Sequence, residues 1–167
     1  MAKSRTADVP AKRRRPVFVQ DFVDVERSTE EVRECFAGSS HWLEPLATAA
    51  EGDGEALCVR IGPSWASGLV SHEVHVIVGP SRERDDAIVI PLSWEPSALR
   101  TLIPSLDGDL EVAPLGPKLC RLTLSATYVP PLGEWGARFD HALLHRVASS
   151  TVRSFLARVA ASVVDSC

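Results

Sequence analysis

The sequence predicts an α+β fold: a curved antiparallel β-sheet of about six to seven strands wrapped around one long C-terminal helix, with two short helices after the first strand. Three observations carry this reading. Much of the middle of the chain alternates apolar and polar residues, the pattern of a sheet with one wet face and hence of antiparallel pairing. From Glu134 the period becomes helical and stays so almost to the end. At 167 residues, 45% apolar and 24% charged, the chain suits one domain with a real core.

The elements follow in order. "VFVQDFVDVE" is rich in β-branched and aromatic residues and reads as a strand over 17–26. Val19, Asp21, Val23 and Val25 share one face, Phe18 and Phe22 the other. In "RSTEEVRECFAG", Ser28 is an N-cap and Glu31 completes a capping box. Val32, Cys35 and Phe36 make a short apolar stripe, and Gly38 stops the helix. "SSHWLEPLATAAEGDG" reads as a second short helix or irregular turn, with Pro45 near its first turn.

Strands come next. "EALCVRIG" puts Leu57, Val59 and Ile61 on one face, and "GPSWASG" is a loop. "LVSHEVHVIVGP" sets His72, Val74, Val76 and Val78 against Glu73, His75 and Ile77. "SRERDD" is a charged hairpin connection into "AIVIPLSWEP", where Ile88, Ile90, Leu92 and Trp94 align. "SALRTLIPS" leads to "LDGDLEVAPLG", and Gly116-Pro117 turns the chain into "KLCRLTLSATYV". There Leu122, Leu124, Ala126 and Tyr128 oppose Arg121, Thr123, Ser125 and Thr127.

In the final helix Trp135, Phe139, Leu143 and Val147 recur at i+4. Val152, Phe155, Leu156, Val159 and Val163 continue the stripe with a phase shift, which predicts a bend or break near Ser149-Ser150. So amphipathic a helix must bury its stripe, and the sheet is the available partner.

The net charge of -4 hides an asymmetry. Lys3, Arg5, Lys12, Arg13, Arg14 and Arg15 crowd the start against Asp8 alone, so the body is acidic. An acidic body argues against nucleic-acid binding by the domain. Residues 1–16 read as a disordered basic tail and 17–167 as one domain. No secretory h-region and no apolar run of about 20 residues is visible, so a cytoplasmic location without a transmembrane segment is expected. Cys35, Cys58, Cys120 and Cys167 lack CxxC spacing and read as reduced, structural thiols.

The order of elements resembles the START-like, helix-grip superfamily, also called SRPBCC or polyketide cyclase/dehydrase-like. "VDVERSTEEVRECF" looks like its first strand and capped helix. "IPLSWEPS" followed by "IPSLDGDLEVAPLG" looks like its middle strands, and "CRLTLSATYVPPLGEWGARFD" is similar to its last strand and the start of the grip helix. The resemblance runs from Val17 to about Asp165. It implies a cavity between sheet and helix for an apolar or amphipathic small molecule, and carries over no common catalytic residue. With only 6% aromatic residues, that cavity is expected to be small or filled.

On this reading Val74, Val76, Ile90, Leu92, Trp94, Leu124, Tyr128, Trp135, Phe139 and Leu143 would line the ligand, with Trp94, Tyr128, Trp135 and Phe139 as its aromatic end. The same residues also suit plain core. Trp42 and Trp65 read as lids near the cavity mouth. Asp21, on a valine face, must be paired or solvated, with Arg146 as one partner for it; left in a pocket it would be a general base. His72, beside Val74 and Val76, would be a pocket acid/base or a histidine satisfied at a strand end. "SHEVH" lacks zincin spacing and lies on a strand. His141 and His145 have the spacing of a helical metal pair, yet they read as flanking or opposing the apolar stripe, in water. No metal or cofactor is expected.

The leading expectation is binding of a hydrophobic small molecule (lipid, polyketide or aromatic) without chemistry of its own. The alternative is a polyketide cyclase or dehydratase using Asp21, His72 or Tyr128 as acid/base. A third is a regulatory module whose basic tail recruits an anionic partner. A homodimer is compatible with all three.

Overall fold

The computed structural model describes residues 16–37, 39–51, 56–62, 72–96, 104–129 and 141–166. The alternating segments form strands β1 (Val17–Val25), β2 (Ala47–Glu51), β3 (Ala56–Ile61), β4 (His72–Val78), β5 (Arg82–Arg84), β6 (Ala87–Pro96), β7 (Leu106–Gly116) and β8 (Leu119–Tyr128). Seven run side by side in the order β1-β8-β7-β6-β4-β3-β2, and β5 pairs with β6 off this path. Every pairing is antiparallel. The helices are α1 (Thr29–Ala37), a 3-10 helix (Ser39–Leu46) and α2 (His141–Ser166).

The alternation decides which face is buried. Val19, Leu122, Leu124, Leu110, Ile90, Trp94, Val76 and Val59 are all buried on one side of the sheet. They join Val152, Phe155, Leu156, Val159 and Val163 of α2 in one apolar core. Trp94 and Phe155 meet edge to face, ring centroids 5.4 Å apart, which ties β6 to α2.

Local chemistry sets the ends of α1. Glu31 Oε2 accepts from Ser28 N–H and Ser28 Oγ, each at 2.7 Å, and Glu31 N–H donates to Ser28 Oγ at 3.2 Å. The capping box is thus closed in both directions. At the β5–β6 turn, Asp85 adopts φ 54°. Asp tolerates this left-handed conformation, which two-residue hairpins use.

Several expectations are corrected. The segment read as a second helix or turn splits into the 3-10 helix and the edge strand β2. "SRERDD" holds a short strand, β5, not only a connection. The shift near Ser149-Ser150 is no break: α2 is continuous. Its buried positions 148, 152, 155, 159 and 163 step by three or four, so the stripe keeps the 3.6-residue period that strict i+4 steps drift from. Cys35 is disulfide-bonded rather than reduced, while Cys58 and Cys120 are buried thiols outside any disulfide. Trp42 is no lid: it is buried and packs edge-on against Phe36 at 4.8 Å.

The stretch His145–Asp165 of α2 is long and apolar enough to cross a membrane, contrary to the sequence count, but 56% of its apolar window is buried within the fold. Packing against the sheet accounts for its composition. The basic tail up to Arg15, Trp65, and Trp135 and Phe139 lie outside the described residues.

Candidate functional site

The concave face is read as rows across the paired strands. At one end of the sheet, Val17, Tyr128, Leu106, Trp94, Val76 and Leu57 stand opposite one another in turn. The next row is Val19, Ala126, Gly108, Leu92 and Val78. Below it lie Asp21, Leu124, Leu110 and Ile90. Of the residues expected to line a ligand, Val74, Val76, Ile90, Leu92, Trp94, Leu124 and Tyr128 are all buried on this face.

The second row is low in its middle. A Cβ on Gly108 would lie 2.4 Å from Ser125 O and 2.5 Å from the Ala126 methyl. These strands approach so closely that no side chain fits, and Ala126 adds only a methyl. Only a hydrogen and a methyl thus stand between the Tyr128–Leu106–Trp94 row and the Leu124–Leu110 row. Nothing in the sequence reading singled out Gly108. The signal was there, since a glycine inside a strand marks close backbone approach.

The aromatic row stands at the end of the sheet where connections gather. The chain leaves β6 at Pro96, enters β7 at Leu106 and leaves β8 at Tyr128. Trp94 donates its indole N–H to Pro104 O at 3.1 Å, so its polar atom is already used. Burial pushes the Tyr128 phenol above its ordinary value, which keeps it neutral and able to donate. The helix begins at this end too: Arg153 meets Asp21, while Arg27, past the end of β1, donates to Val164 O at 2.9 Å. Thus α2 runs along β1 in the same direction. Leu143 lies in its first turn, with its side chain outside the described residues.

Asp21 does face α2, yet its partner is Arg153 rather than Arg146. Arg153 Nε donates to Asp21 Oδ2 at 2.7 Å, and Phe22 N–H donates to Asp21 Oδ1 at 2.9 Å. The Asp21 side chain is 15% exposed. Both of its oxygens are engaged, which is how a carboxylate on an apolar face is tolerated. Arg146 is exposed.

His72 is the first residue of β4, paired with Ile61, and its side chain lies outside the described residues. His145 is exposed. It lies about 200° round the helix from the buried Val147, opposing that part of the stripe, and shares the line of Val152 and Val159, seven and fourteen residues on. Water reaches that line at the start of α2. The side chain of His141 is outside the described residues, and among those described no group of three His, Cys, Asp or Glu could hold a metal. Burial, with Asp24 and Glu31 nearby, pushes the Cys120 thiol up, so it stays protonated.

No protein-family model matches the chain, and no curated protein sequence does. Solved structures do. A START superfamily protein from Mycobacterium smegmatis matches at TM-score 0.56 and 15% identity, over 90% of this chain and 99% of its own. Zhui aromatase/cyclase from Streptomyces sp. R1128 matches at 0.55 and 16%, over 90% and 94%. Norcoclaurine synthase from Thalictrum flavum, in complex with dopamine and hydroxybenzaldehyde, matches at 0.56 and 13%, over 98% of both chains. At such identities the likeness speaks of architecture alone. A seven-strand antiparallel path, a capped helix after its first strand and a long C-terminal helix across its concave face make this chain a START-like, helix-grip fold.

Proposed function

We propose that the chain binds an apolar or amphipathic small molecule (a lipid, polyketide or aromatic compound) between the concave face and the first half of α2, without chemistry of its own. One observation carries the reading: the row next to Tyr128–Leu106–Trp94 carries only a hydrogen at Gly108 and a methyl at Ala126 on an otherwise apolar floor. Concave apolar surfaces with few polar groups are where such ligands bind. Trp135, Phe139 and Leu143 belong to this proposal by their place in the chain, before and within the first turn of α2. Residues 17–167 are proposed to act as one domain, with 1–16 as a tail.

Binding is favoured over the cyclase or dehydratase alternative because Asp21 is held by Arg153 and the Phe22 N–H. Tyr128, the other candidate with a described side chain, stands two rows from Asp21, so the two do not converge on one reacting atom. The expected cytoplasmic location sits poorly with the Cys35 disulfide, which oxidising compartments favour. Cell fractionation decides between them.

Native mass spectrometry of the purified protein tests the binding reading, followed by a thermal-shift panel of long-chain fatty acids and polycyclic aromatics. A co-purified adduct, or a melting temperature that rises with ligand concentration, supports it. A bare mass together with a flat panel sinks it.

A further inference from the structure

We propose that Cys35 is joined to Cys167, a disulfide that latches the end of α2 to α1 and makes the hold on that end depend on redox state. The pairing follows by elimination. The chain has four cysteines, Cys35, Cys58, Cys120 and Cys167. Cys35 is disulfide-bonded, and Cys58 and Cys120 lie outside any disulfide. Within one chain that leaves Cys167. It lies outside the described residues, but it follows Ser166, the last residue of α2, by one peptide, a Cα step of about 3.8 Å.

The described residues bring that end of α2 to α1, and the two helices touch. Phe36, next to Cys35, packs its ring on Trp42 at 4.8 Å, and Trp42 O accepts from Ser162 Oγ at 2.8 Å. Arg27, just before α1, donates to Val164 O at 2.9 Å. Position 167 lies five residues on from Ser162, about 7.5 Å along a helix axis. Disulfides span Cα separations of about 4.4–6.8 Å, within reach for two elements tied this closely.

The bond tunes the fold rather than makes it. Ser162, Arg158 and Arg27 already tie this half of α2 by hydrogen bonds, over the buried Val159 and Val163. The reduced chain therefore stays folded with a looser end. The oxidised chain closes a ring of about 130 residues, which restricts its unfolded state. Closure takes two electrons and two protons from the two thiols, and a small disulfide such as oxidised glutathione receives them, leaving as two thiols. Opening is the reverse exchange: a thiolate bonds one sulfur, the other leaves as thiolate, and a second thiol completes the reduction. Cys58 and Cys120 stand apart from this couple. Both are buried, and burial, with Asp24 and Glu31 nearby, keeps Cys120 protonated and slow to intercept the exchange.

Peptide mapping tests the pairing, on native protein equilibrated with oxidised glutathione, blocked with iodoacetamide and digested without reductant. Expected is a peptide linking Cys35 to Cys167, with Cys58 and Cys120 modified only after unfolding. Dithiothreitol should leave the circular dichroism unchanged and lower the melting temperature by about 5–15 °C. Hydrogen exchange should quicken at 29–37 and 156–166 and not at 141–150. Cys35→Ser and Cys167→Ser should each match the reduced protein, and the two together should add no further loss. An alkylated Cys35 in the oxidised native chain, or Cys35 linked to Cys58 or Cys120, overturns the proposal. So does a melting temperature that dithiothreitol leaves unmoved, or a serine variant that still responds to it.

Discussion

The two halves of α2 pack on the same sheet but are held differently. In the C-terminal half, Ser162 Oγ donates to Trp42 O at 2.8 Å, and Arg158 donates to Arg60 O and to Leu46 O. Arg27 reaches back to Val164 O. These bonds clamp that half to α1's approach, the 3-10 helix and β3, over the fully buried Val159 and Val163. In the N-terminal half Thr151 Oγ1 is buried without a hydrogen-bond partner, and His145 is exposed on the sheet-facing line. Apart from the Arg153 bond to Asp21, the N-terminal half lacks such ties among the described residues, and the proposed ligand would enter there. Hydrogen exchange should reflect this, with amides of 141–150 exchanging faster than those of 154–163. Equal protection would break the comparison.

The largest expected effect lies where the halves meet. Phe155→Ala removes the ring packed on Trp94 and leaves a cavity in the helix–sheet core. It should cost about 3–5 kcal/mol, read by urea denaturation. A loss under about 1 kcal/mol would mean that the core around Trp94 collapses readily. Gly108→Ala comes next and probes the mouth end. Its methyl meets backbone at 2.4 Å, so the β7–β8 pair must shift, at about 1–3 kcal/mol. Ligand affinity should fall with it; a stable variant that binds normally would remove Gly108 from the site.

The sequence made the anchored end legible and left the mouth obscure, for physical reasons. Alternation is a local signal, so the inward positions from Leu57 to Tyr128 could be read directly. The Ser28–Glu31 box was legible because its partners lie within one helical turn. Arg153, not Arg146, answers Asp21 because α2 runs along β1 from a start point that no local pattern encodes. The edge strand β2 was missed since "ATAAE" has no marked β character, and pairing with β3 decides its state. The need for a glycine at 108 depends on how closely β7 and β8 approach, which is a tertiary fact. Cys35 could not be paired by counting spacings.

Two substitutions sharpen the contrast within α2 by moving stability in opposite directions. Arg158→Met keeps the apolar stem and removes the guanidinium that two backbone carbonyls share. Burial already pulls the Arg158 pKa down, so its charge gains little from the site. A loss of about 1 kcal/mol is expected from the orphaned carbonyls, with faster exchange confined to the C-terminal half. Thr151→Val replaces an unsatisfied hydroxyl by a methyl of similar shape. It should raise stability by about 1 kcal/mol, seen as a higher melting temperature. A lower one would show that the hydroxyl is satisfied in solution.

The smallest expected effect is that of acid on the anchored end. The Arg121 hydrogen bond and charge hold Asp24 below its ordinary pKa. The Ser28 hydroxyl, then the Ser28 N–H, with Arg27 and Lys118 nearby, do the same for Glu31. A carboxylate whose folded pKa is depressed adds stability that is present above its unfolded value. That stability is lost as pH falls through the folded value. With unfolded values of about 3.9 and 4.3, the loss begins near pH 4 and continues below it. Both groups are solvent-exposed, so screening keeps the effect small. They sit where β1 ends and α1 begins, next to the Arg27 bond to Val164 O, so acid should loosen the clamped end of α2 and spare the mouth. Melting curves between about pH 3 and 6 should therefore slope less steeply for Asp24→Asn with Glu31→Gln than for the wild type. An identical slope would assign the acid sensitivity to other carboxylates and detach it from the anchored end.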